Sequence, residues 1–262
     1  MKILIFFVVI FLATCDGNVL KHEHGSTNQI FPLQMKSGPG GHYIPDLSCA
    51  SWRVGVEAHN IINWKTIPKE CEKYVGNYML GAQYRADSKY VNREGYYYAK
   101  TLNISGDGKD IWVFDIDETT LSNLPYYAKH GFGVEPYNEV AFNEWVEVGA
   151  APALPESQKL YNKLLSLGIK IVFLTGRPLK QKNSTATNLK NAGYHTWEKL
   201  ILKDTTKYHG KTAVTYKSSE RKKLEKEGYR IVGNIGDQWS DILGTNIGQR
   251  TFKLPDPLYY IS

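Results

Sequence analysis

The chain has 262 residues, 42% of them hydrophobic and 22% charged; it is long enough to bury a sizeable core, which we read as one domain, and it carries no internal repeat or low-complexity tract. Its net charge of +6 would admit nucleic acid or an anionic surface, but lysines and arginines are interleaved with acids along the chain. No nucleic-acid partner is therefore expected, and the mild positive bias suits at most an attraction for small anions.

Residues 1–17, MKILIFFVVIFLATCDG, combine a lysine, an apolar run and small residues in the plan of a secretory signal peptide, too short to span a membrane securely. Residues 18–48 are polar, contain His22, His24 and the Gly38-Pro39-Gly40-Gly41 cluster, and read as an extended arm. Two histidines on such an arm lack the preorganised geometry of a metal site. Removal of the leader would leave two cysteines, Cys49 and Cys71. In an oxidising lumen a disulfide between them is the default expectation, with two buried free thiols as the alternative. Two glycosylation sequons, at Asn103 and Asn183, agree with secretion provided that they face solvent. No retention signal stands at Ile261-Ser262, so vacuole and extracellular space both remain open.

Across 51–100, apolar and aromatic residues recur at three- and four-residue spacing, with Cys71, Tyr74, Val75, Tyr78, Met79 and Ala82 along one face. The spacing predicts an amphipathic helix ahead of the first strand. Residues 111–114 are an apolar run suited to a buried parallel strand, which ends on Asp115, with Asp117 one residue beyond. In an open α/β sheet ligands bind at the carboxyl ends of the strands, so this pair is a candidate site. Asp and Thr are also ordinary turn and capping residues in such a place. Residues 121–150 carry Tyr126, Tyr127, Phe132, Tyr137 and Trp145, which fit either an apolar lid wall or a small local core.

A helix over 152–168, with Leu160, Leu164 and Leu167 on one face, leads into a strand over 170–174 that ends in Thr175-Gly176-Arg177. A helix over 182–193 and a short strand over 200–202 follow. The charged helix 217–228 begins at Lys217 and is expected to turn Arg221-Lys222-Lys223 to solvent. A strand over 229–235 then ends in Gly236-Asp237-Gln238-Trp239-Ser240-Asp241, and 251–254 is a final edge strand. Strands alternating with helices predict an α/β fold, a three-layer α/β/α Rossmann-like parallel sheet covered on both faces.

The polar groups at the strand ends come in the order carboxylate pair, hydroxyl, lysine, carboxylate pair, and that order resembles the haloacid dehalogenase superfamily of phosphohydrolases. The phrases FDIDETTLSN, YNKLLSLGIKIVFLTGR, ILKD, YKS, GNIGDQWSD and RTFKLPDPLYYI are similar to plant class B acid phosphatases and legume vegetative storage proteins, from about Cys49 to Ser262. Any one motif is weak, but four in order are specific. The resemblance implies a catalytic domain over 49–262 with an N-terminal helical extension and a short cap insertion at 121–150. A short cap suits broad specificity for small phosphomonoesters.

The resemblance also implies roles for the residues, and they fit the chemistry. Asp115 is the expected nucleophile, able to form an aspartyl-phosphate, and Asp117 the acid and base that serves the leaving alcohol and then water. Thr175, Gly176 and Lys217 are expected to hold the phosphoryl group. Crowded carboxylates need a cation, for which Mg²⁺ is fitting, on the Asp115 side chain, the Asp117 main-chain carbonyl and Asp237, with Asp241 as a ligand or a supporting acceptor. Arg177 is left between a substrate contact and a surface ion pair. An acidic compartment would keep more of Asp117 protonated. The expectation is a secreted or vacuolar Mg²⁺-dependent acid phosphatase, and its rival is a storage protein on the same fold. Some storage members lack the nucleophilic aspartate, whereas Asp115 is present here. A homodimer is compatible with all of this.

Overall fold

The computed structural model describes residues 48–262. The expected signal peptide and arm lie outside the described residues, except that Ser48 caps the first helix by accepting the Ser51 N–H.

Strands β1 (Asp110–Phe114), β2 (Lys170–Pro178), β3 (Lys199–Lys203), β4 (Arg230–Gly236) and β5 (Thr251–Lys253) form one parallel sheet in the order β3-β2-β1-β4-β5. All five residues of the central β1 are buried because its side chains alternate between two covered faces. Trp112 and Phe114 join Ile171 and Phe173 on one face, while Ile111 and Val113 join Val172, Leu174 and Ile231 on the other. The first face is closed by Leu160, Tyr161 and Leu164 of one helix and Leu189 of another, namely α6 (Pro155–Ser166) and α7 (Lys182–Asn191). Tyr216 and Leu224 of α8 (Ala213–Lys226) close the second. This is the expected three-layer α/β/α arrangement.

Within β4, Gly233 sits opposite Trp112, and a Cβ there would lie 2.4 Å from the indole. The central strand can carry its largest side chain because its neighbour carries none.

The helix expected over 51–100 is three helices: α1 (Cys49–Glu57), α2 (Glu72–Leu80) and α3 (Ala82–Ala99). Residues 58–68 interrupt the first pair, with His59 and Asn63 at positive φ. Extended Gly81 re-aims the chain between the second pair, and Ala82 is consequently exposed while Cys71, Val75, Tyr78 and Met79 are buried. Cys49 and Cys71 form a disulfide, with Cα atoms 5.3 Å apart, that ties α1 to the start of α2.

Residues 121–150 fold into α4 (Leu124–Tyr127) and α5 (Glu139–Val148), the latter capped by Asn138 and ended by Gly149 at φ 64°. Tyr126, Tyr127, Phe132 and Phe142 pack with Trp52, Val75, Tyr78 and Leu258, so a local core forms from this segment, the N-terminal helices and the C-terminal tail.

Two expectations about α8 fail. The helix starts at Ala213, where Thr212 caps it through the Thr215 N–H, so Lys217 lies in its second turn and is buried. Arg221 is fully buried rather than solvated, and its guanidinium donates to the carbonyls of Asp241, Leu243 and Thr245. A run of like charges hid a residue that helps to pin the loop behind β4. Among the described residues no helix is long and apolar enough to cross a membrane.

Candidate active site

The site assembles where β1, β2 and β4 end. Asp115 continues β1 by one hydrogen bond, from its N–H to the Ile235 carbonyl at 3.0 Å, before the chain turns sharply. The turn is held by the Thr120 hydroxyl, which donates to the Asp115 carbonyl at 2.6 Å, and by the N–H groups of Thr120 and Leu121 on the Ile116 carbonyl. Glu118 inside it adopts φ 50°, an uncommon conformation for a side-chain-bearing residue. The turn sends Asp115 and Asp117 in different directions.

Asp115 is buried and accepts from Lys217 Nζ at 2.7 Å; the same ammonium bonds Asp241. Asp241 lies in α9 (Trp239–Ile242), and its other carboxylate oxygen caps the Gln238 N–H at 2.9 Å. Gly236 lets it come close, since a Cβ there would lie 2.2 Å from Asp241 Cβ. Asp237 accepts from the Thr119 hydroxyl at 2.9 Å, Gln238 Nε2 at 2.9 Å and the Tyr259 hydroxyl at 3.1 Å. One carboxylate oxygen from each of Asp115, Asp237 and Asp241 lies within 4.8 Å of the others, and all three residues are buried.

Three carboxylates against one lysine leave a formal charge of −2 in a buried space. Burial, with Asp241 and Asp237 adding to it against Lys217, pushes the Asp115 carboxyl well above the usual range; burial, Asp256 and Asp241 do the same to Asp237. Burial would lower Lys217, but Asp115 and Asp241 outweigh it and hold its ammonium charged. A hard divalent cation fits this donor set, because all three donors are oxygens and its charge matches the deficit.

Asp117 stands apart. Its side chain keeps 18% of its surface, and Arg177, only 2% exposed, grips it from Nε at 3.1 Å and Nη2 at 2.7 Å. Asn123 Nδ2 donates to it at 2.8 Å. Burial would raise this carboxyl, but Arg177 and Asn123 more than offset that and hold it below its ordinary value. Arg177 is thus neither a surface ion pair nor free for substrate. Its Nη1 is in turn anchored to the Thr185 hydroxyl at 3.2 Å.

Thr175 is buried at the turn of β2; its hydroxyl accepts the Arg177 N–H at 3.1 Å and reaches toward Asp117 at 3.5 Å. Gly176 sits exposed in the bulge where the β2–β3 register shifts between Leu174 and Pro178, with open space beside it. Asp115, Asp117, Thr175, Lys217, Asp237 and Asp241 are therefore brought together, with Gly176 at the rim. Asp117's carboxylate is bonded by Arg177 and Asn123 and is not one of the three clustered acids. Asn103 and Asn183 lie elsewhere, both exposed.

Several groups in the site were not singled out from the sequence. Glu118 is buried and accepts the Asn123 N–H, and Asn123 Oδ1 accepts the Trp145 indole N–H of α5 at 2.9 Å. Asp256, buried near Glu118, takes a bond from Gln238 Nε2 at 2.9 Å. The Glu of DIDET and the Asp of LPDP were the available signals, each standing within a phrase that carries the resemblance.

A model of the acid phosphatases of HAD superfamily subfamily IIIB matches residues 35–262. The chain belongs to this family. It is 53% identical over 262 residues to the stem 28 kDa glycoprotein of Glycine max, covering 100% of this chain and 99% of that one. It is 47% identical to acid phosphatase 1 of Solanum lycopersicum over the full length of both. Vegetative storage protein 1 of Arabidopsis thaliana is 47% identical over 216 residues, 82% of this chain and 79% of that one. In fold it is similar to the class C acid phosphatase from Bacillus anthracis, with a TM-score of 0.57 and 22% identity over 73% of this chain and 86% of that one.

Proposed function

We propose that this family member is an active, Mg²⁺-dependent acid phosphatase acting on small phosphomonoesters. The observation that carries the reading is the buried Asp115, held by Lys217 beside Asp237 and Asp241, at the end of the central strand. A storage protein has no need of a nucleophile in a buried site with a deficit of positive charge, whereas a phosphotransfer site has.

In this mechanism Asp115 attacks phosphorus and the bond to the ester oxygen breaks, with Asp117 giving that oxygen a proton. Water then attacks the aspartyl-phosphate, Asp117 takes its proton, and the bond from phosphorus to Asp115 breaks to release phosphate. Lys217 favours the ionised form of Asp115, which a bound cation would complete, and balances phosphate charge; the Thr175 hydroxyl and the N–H groups around Gly176 hold phosphoryl oxygens. Asp115, Asp237, Asp241 and the main-chain carbonyl of Asp117 would hold Mg²⁺, which would supply neutralisation of the oxyanions. Arg177 holds Asp117 as the carboxylate, the form needed as base. The proton for the leaving alcohol is the one that Asp117 takes from water in the second step of the preceding turnover, the first being drawn from solvent.

The Cys49–Cys71 bridge supports passage through an oxidising compartment, and the names of the Glycine max relatives support a glycosylated product, so we place the protein in the secretory route, vacuolar or extracellular. A second reading, storage with incidental activity, draws on the Arabidopsis thaliana storage relatives. Hydrolysis of an aryl phosphate by purified protein, after chelation and again with Mg²⁺ restored, separates them. Turnover lost and regained supports the enzyme; no metal-dependent turnover above background overturns it.

A further inference from the structure

Among the described residues the strand order leaves β3 on the outside of the sheet, bonded to β2 along one side and open along the other. An open edge is a template for unwanted pairing, and proteins blunt such edges with lysines or with cover. β3 carries Lys199 and Lys203 at its two ends, with Leu200 and Ile201 only half-buried between them. Against it lies an open groove of about 460 Å³, lined by Asn183 and Ala186 of α7, by Trp197, and by Lys199 and Ile201. Its lining shares no residue with the active site.

The chemistry of the groove is that of a site for a neutral, amphipathic ligand. Its charged groups are largely satisfied: Glu198 is paired with Lys170 at 2.8 Å and accepts the Tyr229 hydroxyl at 2.5 Å, and Lys199 is paired with Glu227. What remains is an aromatic ring, aliphatic side chains, the Asn183 amide and one exposed lysine, Lys182, a surface that suits pyranose rings, whose faces are apolar and whose rims are hydroxylated. One lining residue, exposed in the first turn of α7, is the asparagine of an Asn-Ser-Thr sequon.

We propose that Asn183 carries an N-linked glycan whose first N-acetylglucosamine residues lie in this groove and cover the open edge of β3. Because the sugar is tethered inside the groove, a modest affinity suffices to seat it. Thr185 of the sequon is buried, with its hydroxyl accepting from Arg177, so transfer must precede the folding of α7 onto the sheet. Asn103, exposed outside the groove, provides no such seat.

The inference rests on the secretory route proposed above, and the test keeps the two apart. The full chain is expressed through a plant secretory pathway, its Cys49–Cys71 linkage is mapped, and glycopeptides at Asn183 are followed during digestion by an endoglycosidase that cuts between the first two sugars. Release from the native protein should be about tenfold slower than from the denatured chain, the protection given by about 1.4 kcal/mol of packing. Trp197→Ala should abolish the difference; should that variant fail to fold, Ala186→Lys, which fills the groove from α7, must do so instead. Equal release rates from native and denatured protein overturn the proposal, as does a bridged chain unmodified at Asn183. A chain with free thiols and no glycan sinks the secretory route and the glycan with it.

Discussion

Neutralising either aspartate of the first motif should abolish turnover, yet the two variants should part company in stability. Asp117→Asn strands Arg177, which is 2% exposed and gives three of its hydrogen bonds to that one carboxylate. Breaking a buried ion pair by removing one partner costs about 3–5 kcal/mol, and since Asp117 retains 18% of its side-chain surface the lower end applies. For a domain of this size each kcal/mol moves the melting temperature by about 2–4 °C, so Asp117→Asn should melt about 6–12 °C below wild type. Asp115→Asn is different in sign. Its carboxylate is one of three acids around a single lysine, and Lys217 keeps Asp241 when Asp115 is neutralised. In chelator at pH 7 this variant should melt within about 1 kcal/mol of wild type or above it, the trade of stability for a charged site that active centres show. Thermal unfolding by circular dichroism in excess chelator reads both. An Asp117→Asn protein that melts with wild type, or an Asp115→Asn protein that melts lower still, refutes the charge assignment.

Three further outcomes are expected. The metal-free protein should lose stability as pH rises from about 4 toward 7: burial raises Asp115, Glu118, Asp237 and Asp256, so the folded chain holds protons that the unfolded chain has released, while the lowered Asp117 acts oppositely only below about pH 4. A melting temperature that rises over that window in chelator contradicts this, and added Mg²⁺ should flatten the slope. Replacing Cys49 and Cys71 by serine should cost about 3 kcal/mol, since the bridge closes a loop with a sequence separation of 22, and denaturant titration against the bridged protein measures it. Asn123→Ala removes the amide that joins Asp117 to Trp145, and should slow hydrolysis of alkyl phosphates at least tenfold more than that of aryl phosphates with good leaving groups, because only the former need the proton. Equal slowing of both would mean that Asn123 serves folding alone.

What the sequence made legible was whatever depends on one strand end at a time. The run 111–114 followed by Asp115 reads as a buried strand opening onto a site because apolar burial and a sudden pair of acids are local facts. Thr175, Asp237 and Asp241 likewise stand just past predicted strands, whereas Lys217 was singled out by its place in the ordered set that carries the resemblance. Pairings between elements were not legible. Arg177 could be assigned neither to substrate nor to surface, because its partner is 60 residues away and its second anchor, Thr185, belongs to the next helix. Arg221 was misjudged since a basic triplet on a helix is normally solvated, and only the chain's return after β4 brings three carbonyls to it. The break at Gly81 is similarly invisible to a periodicity count, which runs on through a residue that turns the backbone without changing the pattern.

The two halves of the site obey opposite electrostatic rules, and this explains why one turn must separate them. Around Asp115 the charges are unbalanced, three acids to one lysine, which in the proposed mechanism leaves a deficit that a divalent cation would fill. Around Asp117 they are balanced, one acid to one arginine, which fixes the carboxylate's position while the site is empty. If both aspartates shared Lys217, the proton transfers proposed for Asp117 would disturb the proposed nucleophile, Asp115. The turn at Glu118, with its positive φ and its bond to the Asn123 N–H, keeps the pairs distinct. Trp145 of the 121–150 segment ends the same chain of bonds through Asn123, so that segment is tied to the carboxylate proposed as the acid.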